Sequence, residues 1–394
     1  MNIDKGIAGE EKEKRDIRYI IGYEDIIGYE GILIIGIMRF RTEYKIEERK
    51  RFVLDPRRPV VLLGSCFADN ISTKMSSCLW EAENPLGTLY NPLSIAGALE
   101  ACLGLRRGVS AGDGSGAVDV YGEDRDRDIS ARLMSFEESL FEAGGMWRSW
   151  LFDSKMSAET REDVVYAFGE KCRRLDALLS RAEVLFVTFG TAWCYYIGER
   201  LVANCHKQPA AMFERRRLSV GEIVAKWKSI VGSLRERYPR LRVVFTVSPV
   251  RHLKDGFEGN ARSKAILQLA VEEMCGGVSS GGRGGEVSQG VEGCYYFPAY
   301  EIVNDDLRDY RFYASDLVHP SEEAVEYIWE KFKEMYIDDK GLQRLKEGEM
   351  ICRGLGHRPL PNVTRCRSDE SRLNEERRLT ALRERLSRFE GERL

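Results

Sequence analysis

The sequence predicts an α/β fold in which a mostly parallel sheet is covered on both faces by helices, and two observations lead there. Four short, continuously apolar runs, Val60-Val61-Leu62-Leu63, Val184-Leu185-Phe186-Val187-Thr188, Val243-Val244-Phe245-Thr246-Val247 and Tyr295-Tyr296-Phe297, have the composition of strands buried on both faces. Between them lie stretches with helical spacing of apolar residues, over about 68–79, 94–103, 158–179, 220–238, 261–274 and 321–335. Regular alternation of the two patterns is the signature of a parallel sheet built from right-handed crossovers.

Taken in order, residues 1–37 stand apart. Ile20-Ile21-Gly22-Tyr23-Glu24 is nearly repeated as Ile26-Ile27-Gly28-Tyr29-Glu30, and such low complexity reads as a loose or disordered extension, or else as an additional edge hairpin, with Met38 the expected start of the domain. The apolar Gly31–Met38 run is far shorter than the roughly 20 residues of a spanning helix, and it lacks the flanks of a signal peptide. The domain itself is expected over 38–336, with surface insertions near 106–128 and 276–293, both too polar and glycine-rich to join a core. Residues 337–394 form a charged tail, in which 374–393 reads as a solvated amphipathic helix.

Bulk composition narrows the partners. With 60 Lys and Arg against 63 Asp and Glu the formal charge is −3, so nothing draws the whole chain to nucleic acid or to an anionic membrane. A small molecule is the expected partner. Ten cysteines occur without a C-x-x-C pair, which argues against structural zinc and for free thiols in a reducing compartment, the cytoplasm. Gly281-Gly282-Arg283-Gly284-Gly285 lacks both the preceding strand and the Gly-Lys-Ser/Thr of a phosphate loop. No metal or cofactor is called for. Oligomeric state is not written in the sequence.

Ligands of open parallel sheets bind beyond the carboxyl ends of the strands, and the residues there carry chemistry. After the first strand, Gly64 allows a tight turn and Ser65-Cys66 enters a helix, where free N–H groups and the helix dipole favour an anion. Cys66 is therefore expected to have a lowered pKa. Asp316 stands three residues before His319, a spacing that lets a carboxylate orient an imidazole acting as base. Arg251 and His252 follow the third strand, where a guanidinium fork can hold an anion. Trp193 can line a pocket, and Asn204, His206 and Lys207 cluster in a loop.

These residues resemble the GSCFA domain family. The resemblance rests on Gly64-Ser65-Cys66-Phe67-Ala68, Asn84-Pro85-x-Gly87-Thr88-x-Tyr90-Asn91-Pro92, Thr188-Phe189-Gly190-Thr191-Ala192-Trp193, Asn204-Cys205-His206-Lys207-x-Pro209, Val247-Ser248-Pro249-Val250-Arg251-His252 and Asp316-x-x-His319-Pro320, in that order. It implies a distant similarity to the SGNH, or GDSL, hydrolases, hence a flavodoxin-like three-layer α/β/α sandwich and ester or acyl-transfer chemistry. By that resemblance Gly64-Ser65-Cys66 stands in the place of Gly-Asp-Ser. The nucleophile is then Cys66, or Ser65 with the register shifted by one, and Asp316 and His319 complete the site. Gly87 and Gly190 match oxyanion blocks, but Ala192 stands where those enzymes carry Asn. Asn91, Thr191 or Asn204 would have to supply the missing donor, and His206, Lys207 and Arg251 are implied to bind substrate.

Three functions are compatible with these residues: hydrolysis of an ester or thioester of a small molecule or glycan, acyl transfer from a coenzyme A-type donor, and a non-catalytic carbohydrate- or metabolite-binding module.

Overall fold

The computed structural model describes residues 43–46, 51–105, 133, 136–276, 290–356 and 369–392. The expected extension over 1–37, the insertion near 106–128 and most of that near 276–293 lie outside the described residues.

Five parallel strands form the central sheet: β1 (Val60–Gly64), β2 (Ala82–Glu83), β6 (Val184–Phe189), β10 (Arg242–Val247) and β11 (Cys294–Tyr296). Their spatial order is β2-β1-β6-β10-β11, every pairing among them parallel. Counted along the chain this is the 2-1-3-4-5 order of flavodoxin-like sheets, whose ligand crevice opens between the first and third strands. Here that switch point lies between β1 and β6. All of β1 and β6 is buried, as their unbroken apolar runs require. The two-residue β2 is too short to leave a strand pattern.

Alternation within the strands divides the core. Val61, Leu63, Leu185, Val187, Val243 and Phe245 face one layer, formed by α2 (Pro92–Leu103), α3 (Arg161–Leu179), α4 (Val220–Arg237) and α5 (Gly256–Cys275). Val60, Leu62, Val184, Phe186 and Val244 face the other, formed by α1 (Cys66–Ser77), α6 (Glu322–Tyr336) and α7 (Asp339–Gly356). This is the three-layer α/β/α sandwich.

Local chemistry sets the helix ends. Asn91 Oδ1 accepts from the Ser94 N–H at 2.8 Å with Pro92 at the first helical position, so α2 begins two residues before the apolar spacing starts. Ser219 and Glu222 form a reciprocal capping box on α4, and Thr160 and Ser321 cap α3 and α6. At α1 the cap position is filled by Ser65, yet its side chain makes no capping bond.

Two antiparallel sheets were not visible as strand patterns. One holds β3 (Leu140–Ala143), β4 (Met146–Ser149) and β5 (Ser157–Ala158); the other holds β7 (Trp193–Ile197), β8 (Arg200–Val202) and β9 (Glu214–Arg217). Their strands have two to five residues and only partial burial, too little for a hydrophobic period to register. The second sheet grows directly from the carboxyl end of β6. The charged tail folds as α7 and α8 (Asp369–Gly391). Leu345 and Ile351 of α7 are buried, and Phe389 of α8 is 5% exposed, with the Arg344 guanidinium 3.8 Å from its ring centre. Among the described residues, no helix is long and apolar enough to cross a membrane.

Candidate functional site

The turn from β1 into α1 is built by a glycine that nothing else could replace. Gly64 has φ +125°, and a Cβ on it would lie 2.1 Å from the Thr188 carbonyl oxygen of β6. Its own carbonyl accepts from the Leu89 N–H at 2.8 Å, which draws the loop after β2 to the switch point. Ser65, 1% exposed, follows, with an Oγ that has no hydrogen-bond partner. A serine at a helix cap ordinarily spends its oxygen on the first-turn N–H groups, so this hydroxyl is withheld from the commonest use.

Cys66 is the first residue of α1 and is partly exposed. Burial pushes its thiol above the ordinary value, and the neighbouring Asp69 adds to that. The N–H groups of Cys66 and Phe67, and the Lys264 ammonium, act in the opposite sense but do not prevail. The lowered pKa expected from the helix N-terminus is therefore reversed: desolvation outweighs the dipole. Asp69 is held by Asn84 Nδ2 at 2.9 Å and Thr88 Oγ1 at 3.2 Å.

Across the switch point, a Cβ on Gly190 would stand 3.0 Å from the Tyr90 carbonyl, 3.4 Å from His252 Nε2 and 3.5 Å from Ser65 Cβ. These residues converge on one point. The His252 pKa falls to about 4, chiefly because its ring is buried and further because Lys264 is near, so the imidazole is neutral at physiological pH. Beneath them lies Lys264 of α5, 1% exposed, whose Nζ donates at 2.6 Å to both the Gly190 and Ser248 carbonyls. Burial lowers its pKa to about 7.

The Asp316-His319 loop follows the last strand of the sheet. Asp316 Oδ1 accepts from the Val318 and His319 N–H groups at 2.9 and 3.0 Å, and Oδ2 lies 2.6 Å from His319 Nδ1. Those bonds to His319 hold the carboxyl at about 2. A carboxylate at Nδ1 fixes the proton there and leaves Nε2 as the acceptor. The loop is tied down: Ala314 N–H donates to the His319 carbonyl at 2.8 Å, and Arg251 N–H donates to the Val318 carbonyl at 3.2 Å. The Arg251 guanidinium lies 4.1 Å from the ring centre of Tyr313.

Other sequence candidates take structural parts. Gly190 and Thr191 both donate their N–H to the Tyr90 carbonyl, at 2.7 and 3.0 Å, and Thr191 Oγ1 pairs with Ser263 Oγ, so neither is left as an oxyanion donor. The Gly87 N–H is directed to the Asn84 carbonyl at 3.3 Å, and a Cβ there would strike Asp153 Oδ2 at 2.8 Å. Asn91 is the α2 cap. Asn204 Oδ1 accepts from the His206 N–H. His206 is buried against Phe141 and Trp150 with Nε2 2.9 Å from the Ser149 carbonyl, which makes it a staple between the β4 turn and the β8–β9 loop. Lys207 is exposed. Trp193 of β7 lies under Arg215.

Sequence reasoning missed Lys264 and the part played by Tyr90. Lys264 carried a usable signal: it shares the apolar stripe of α5 with Leu267, Ala270, Val271 and Met274, an unusual place for an ammonium. Tyr90 acts through its backbone carbonyl, which no residue pattern announces. Among the described residues, no group of three or more His, Cys, Asp and Glu side chains is arranged to hold a metal ion.

The GSCFA family model matches residues 59–110 and 127–332, spanning the β1–α1 turn, the switch point and the Asp316-His319 loop. No curated protein matches the chain.

Proposed function

The chain belongs to the GSCFA family, and from that premise and the geometry of the switch point we propose that it hydrolyses an ester or thioester of a small molecule or glycan, in the manner of SGNH hydrolases. The observation that carries this reading is the 2.6 Å contact of Asp316 with His319 Nδ1, which leaves Nε2 as a base on a loop bonded to Arg251 in the segment after β10.

In the proposed reaction His319 Nε2 takes the proton of the Cys66 thiol, and the sulfur attacks the acyl carbon. The tetrahedral adduct expels the alkoxide or thiolate, which recovers the proton from His319, and an acyl-enzyme remains. Water, deprotonated by His319, then releases the acid and restores the thiol. A base is needed because burial and Asp69 keep the thiol protonated. The N–H groups of Cys66 and Phe67 at the start of α1 are the donors left for the oxyanion. Ser65 is the alternative nucleophile, supported by its unpartnered Oγ. The nine described cysteines are all free, which supports a cytoplasmic setting.

The test is to make Cys66→Ala and Ser65→Ala separately and follow para-nitrophenyl ester hydrolysis. Loss in one variant, on the order of 100-fold or more, identifies the nucleophile. Full activity in both refutes the assignment. Ligand binding without covalent labelling by thiol- or serine-directed probes would instead make the site a binding module.

A further inference from the structure

We infer that the substrate is an anion, and that one face of the β7–β9 sheet binds its phosphate or carboxylate group; this deepens the hydrolase reading above and rests on the same cleft. The sheet leaves the carboxyl end of β6 three residues after Gly190, beside Ser65. In its register Trp193 lies opposite Arg217, and Tyr195 opposite Arg215. Directly paired residues share a face, as do residues two apart, so two aromatic rings and two guanidinium groups occupy one side. Glu214 and Arg216 belong to the other side, where Arg216 is paired with Glu222.

The loop after β10 brings a third cation to this face. Lys254 Nζ lies 5.5 Å from the Tyr195 ring centre and donates to its hydroxyl at 3.2 Å. The same loop carries His252, which closes on Gly190, so the basic face adjoins the candidate nucleophile through one continuous segment. Asp255, with its side chain 2% exposed, forms an ion pair with Arg215. Arg217 and Lys254 are exposed and have no carboxylate partner among the described residues. The face thus holds three cations against one acid, on a chain whose formal charge is −3.

A second observation independently points to a ligand. Trp193 Nε1 and Arg215 Nε are buried donors without a hydrogen-bond partner. Buried donors are seldom left so, and both belong to the basic face. A planar guanidinium suits both carboxylate and phosphate oxygens, and Trp193 and Tyr195 offer flat apolar surfaces beside the charges. Arg217 and Lys254 would take the anionic group while the acyl carbon lies at Cys66.

Binding is to be measured by calorimetry at low salt on the Cys66→Ala, Ser65→Ala protein, so that it does not depend on turnover, with inorganic pyrophosphate, citrate and an oligothymidylate as probes. Binding of pyrophosphate or citrate, weakened about tenfold by Arg217→Ala or Lys254→Ala and more by Arg217→Glu, is the expected result. Preference for one probe assigns phosphate or carboxylate. Absence of binding, insensitivity to both residues, or tighter binding of the oligothymidylate overturns the proposal. With the active protein, the same variants should raise KM for an anionic para-nitrophenyl ester about tenfold and that for a neutral one by much less. Anion binding without turnover would sink the hydrolase reading and keep this one; turnover without anion binding would do the reverse.

Discussion

Replacing Lys264 with methionine should remove a contribution to folding stability that grows between pH 7 and about 8.5. In the unfolded chain this lysine keeps its proton up to its ordinary pKa of 10.5, whereas in the folded protein burial brings it to about 7. Between those values the unfolded state holds one more proton, so stability increases with pH by up to about 1.4 kcal/mol per unit. From pH 7, where the folded lysine is half deprotonated, to 8.5 the gain is therefore about 1.6 kcal/mol. From about pH 7.5 upward the buried thiols oppose it. Burial pushes Cys194 and Cys294 up to about 12, while unfolded cysteines lose their protons near 8.5. There the folded state holds the additional protons, and stability falls as pH rises. The thiols titrate alike in wild type and variant, so the difference between the two curves isolates Lys264. Methionine also leaves the Gly190 and Ser248 carbonyls without their ammonium donor, at about 1–3 kcal/mol for each unsatisfied group, so its absolute stability is lower even as the ammonium's desolvation is relieved. The slope is the diagnostic quantity, measured by urea denaturation at half-unit pH steps with constant ionic strength. An equal change from pH 7 to 8.5 in wild type and Lys264→Met would refute the reasoning.

Two further substitutions test the frame of the site. Gly64→Ala forces a Cβ into the Thr188 carbonyl at a positive φ, and should cost on the order of 3 kcal/mol or prevent folding; a melting temperature within a degree or two of wild type would show that the turn can relax. Asp316→Asn keeps the shape of the loop but removes the charge that fixes the His319 tautomer, so kcat on an ester should fall by roughly 10³–10⁴-fold with the fold intact by circular dichroism. An unchanged kcat would mean that His319 is not the base.

Much of the site's location was legible because strand ends announce themselves. The apolar runs of β1, β6 and β10 place Gly64-Ser65-Cys66, Gly190-Thr191 and Arg251-His252 at one edge of a parallel sheet whatever the details of packing. What those side chains do there was less legible. The helix-dipole argument for Cys66 concerns the local backbone, and it fails because desolvation depends on what α5 and the β2–α2 loop place against the thiol. His206 offered a ring with two usable nitrogens, and only the packing of Phe141, Trp150 and the Ser149 carbonyl around it turns it into a structural staple.

By itself the sequence determined the layered α/β class, the central strands, and the Asp316-His319 pair. Each of these follows from neighbours within a few positions along the chain: an apolar run, a helical spacing, a carboxylate three residues from an imidazole. Tertiary structure alone decided that Lys264, 198 positions after Cys66, would lie beneath the β1–α1 turn, that the Tyr90 carbonyl would occupy the Gly190 and Thr191 donors, and that Trp193, Tyr195, Arg215 and Arg217 would share one face of the β7–β9 sheet. The reason is physical. Burial and the electrostatics of the site are sums over atoms close in space, and chain order does not record which atoms those are.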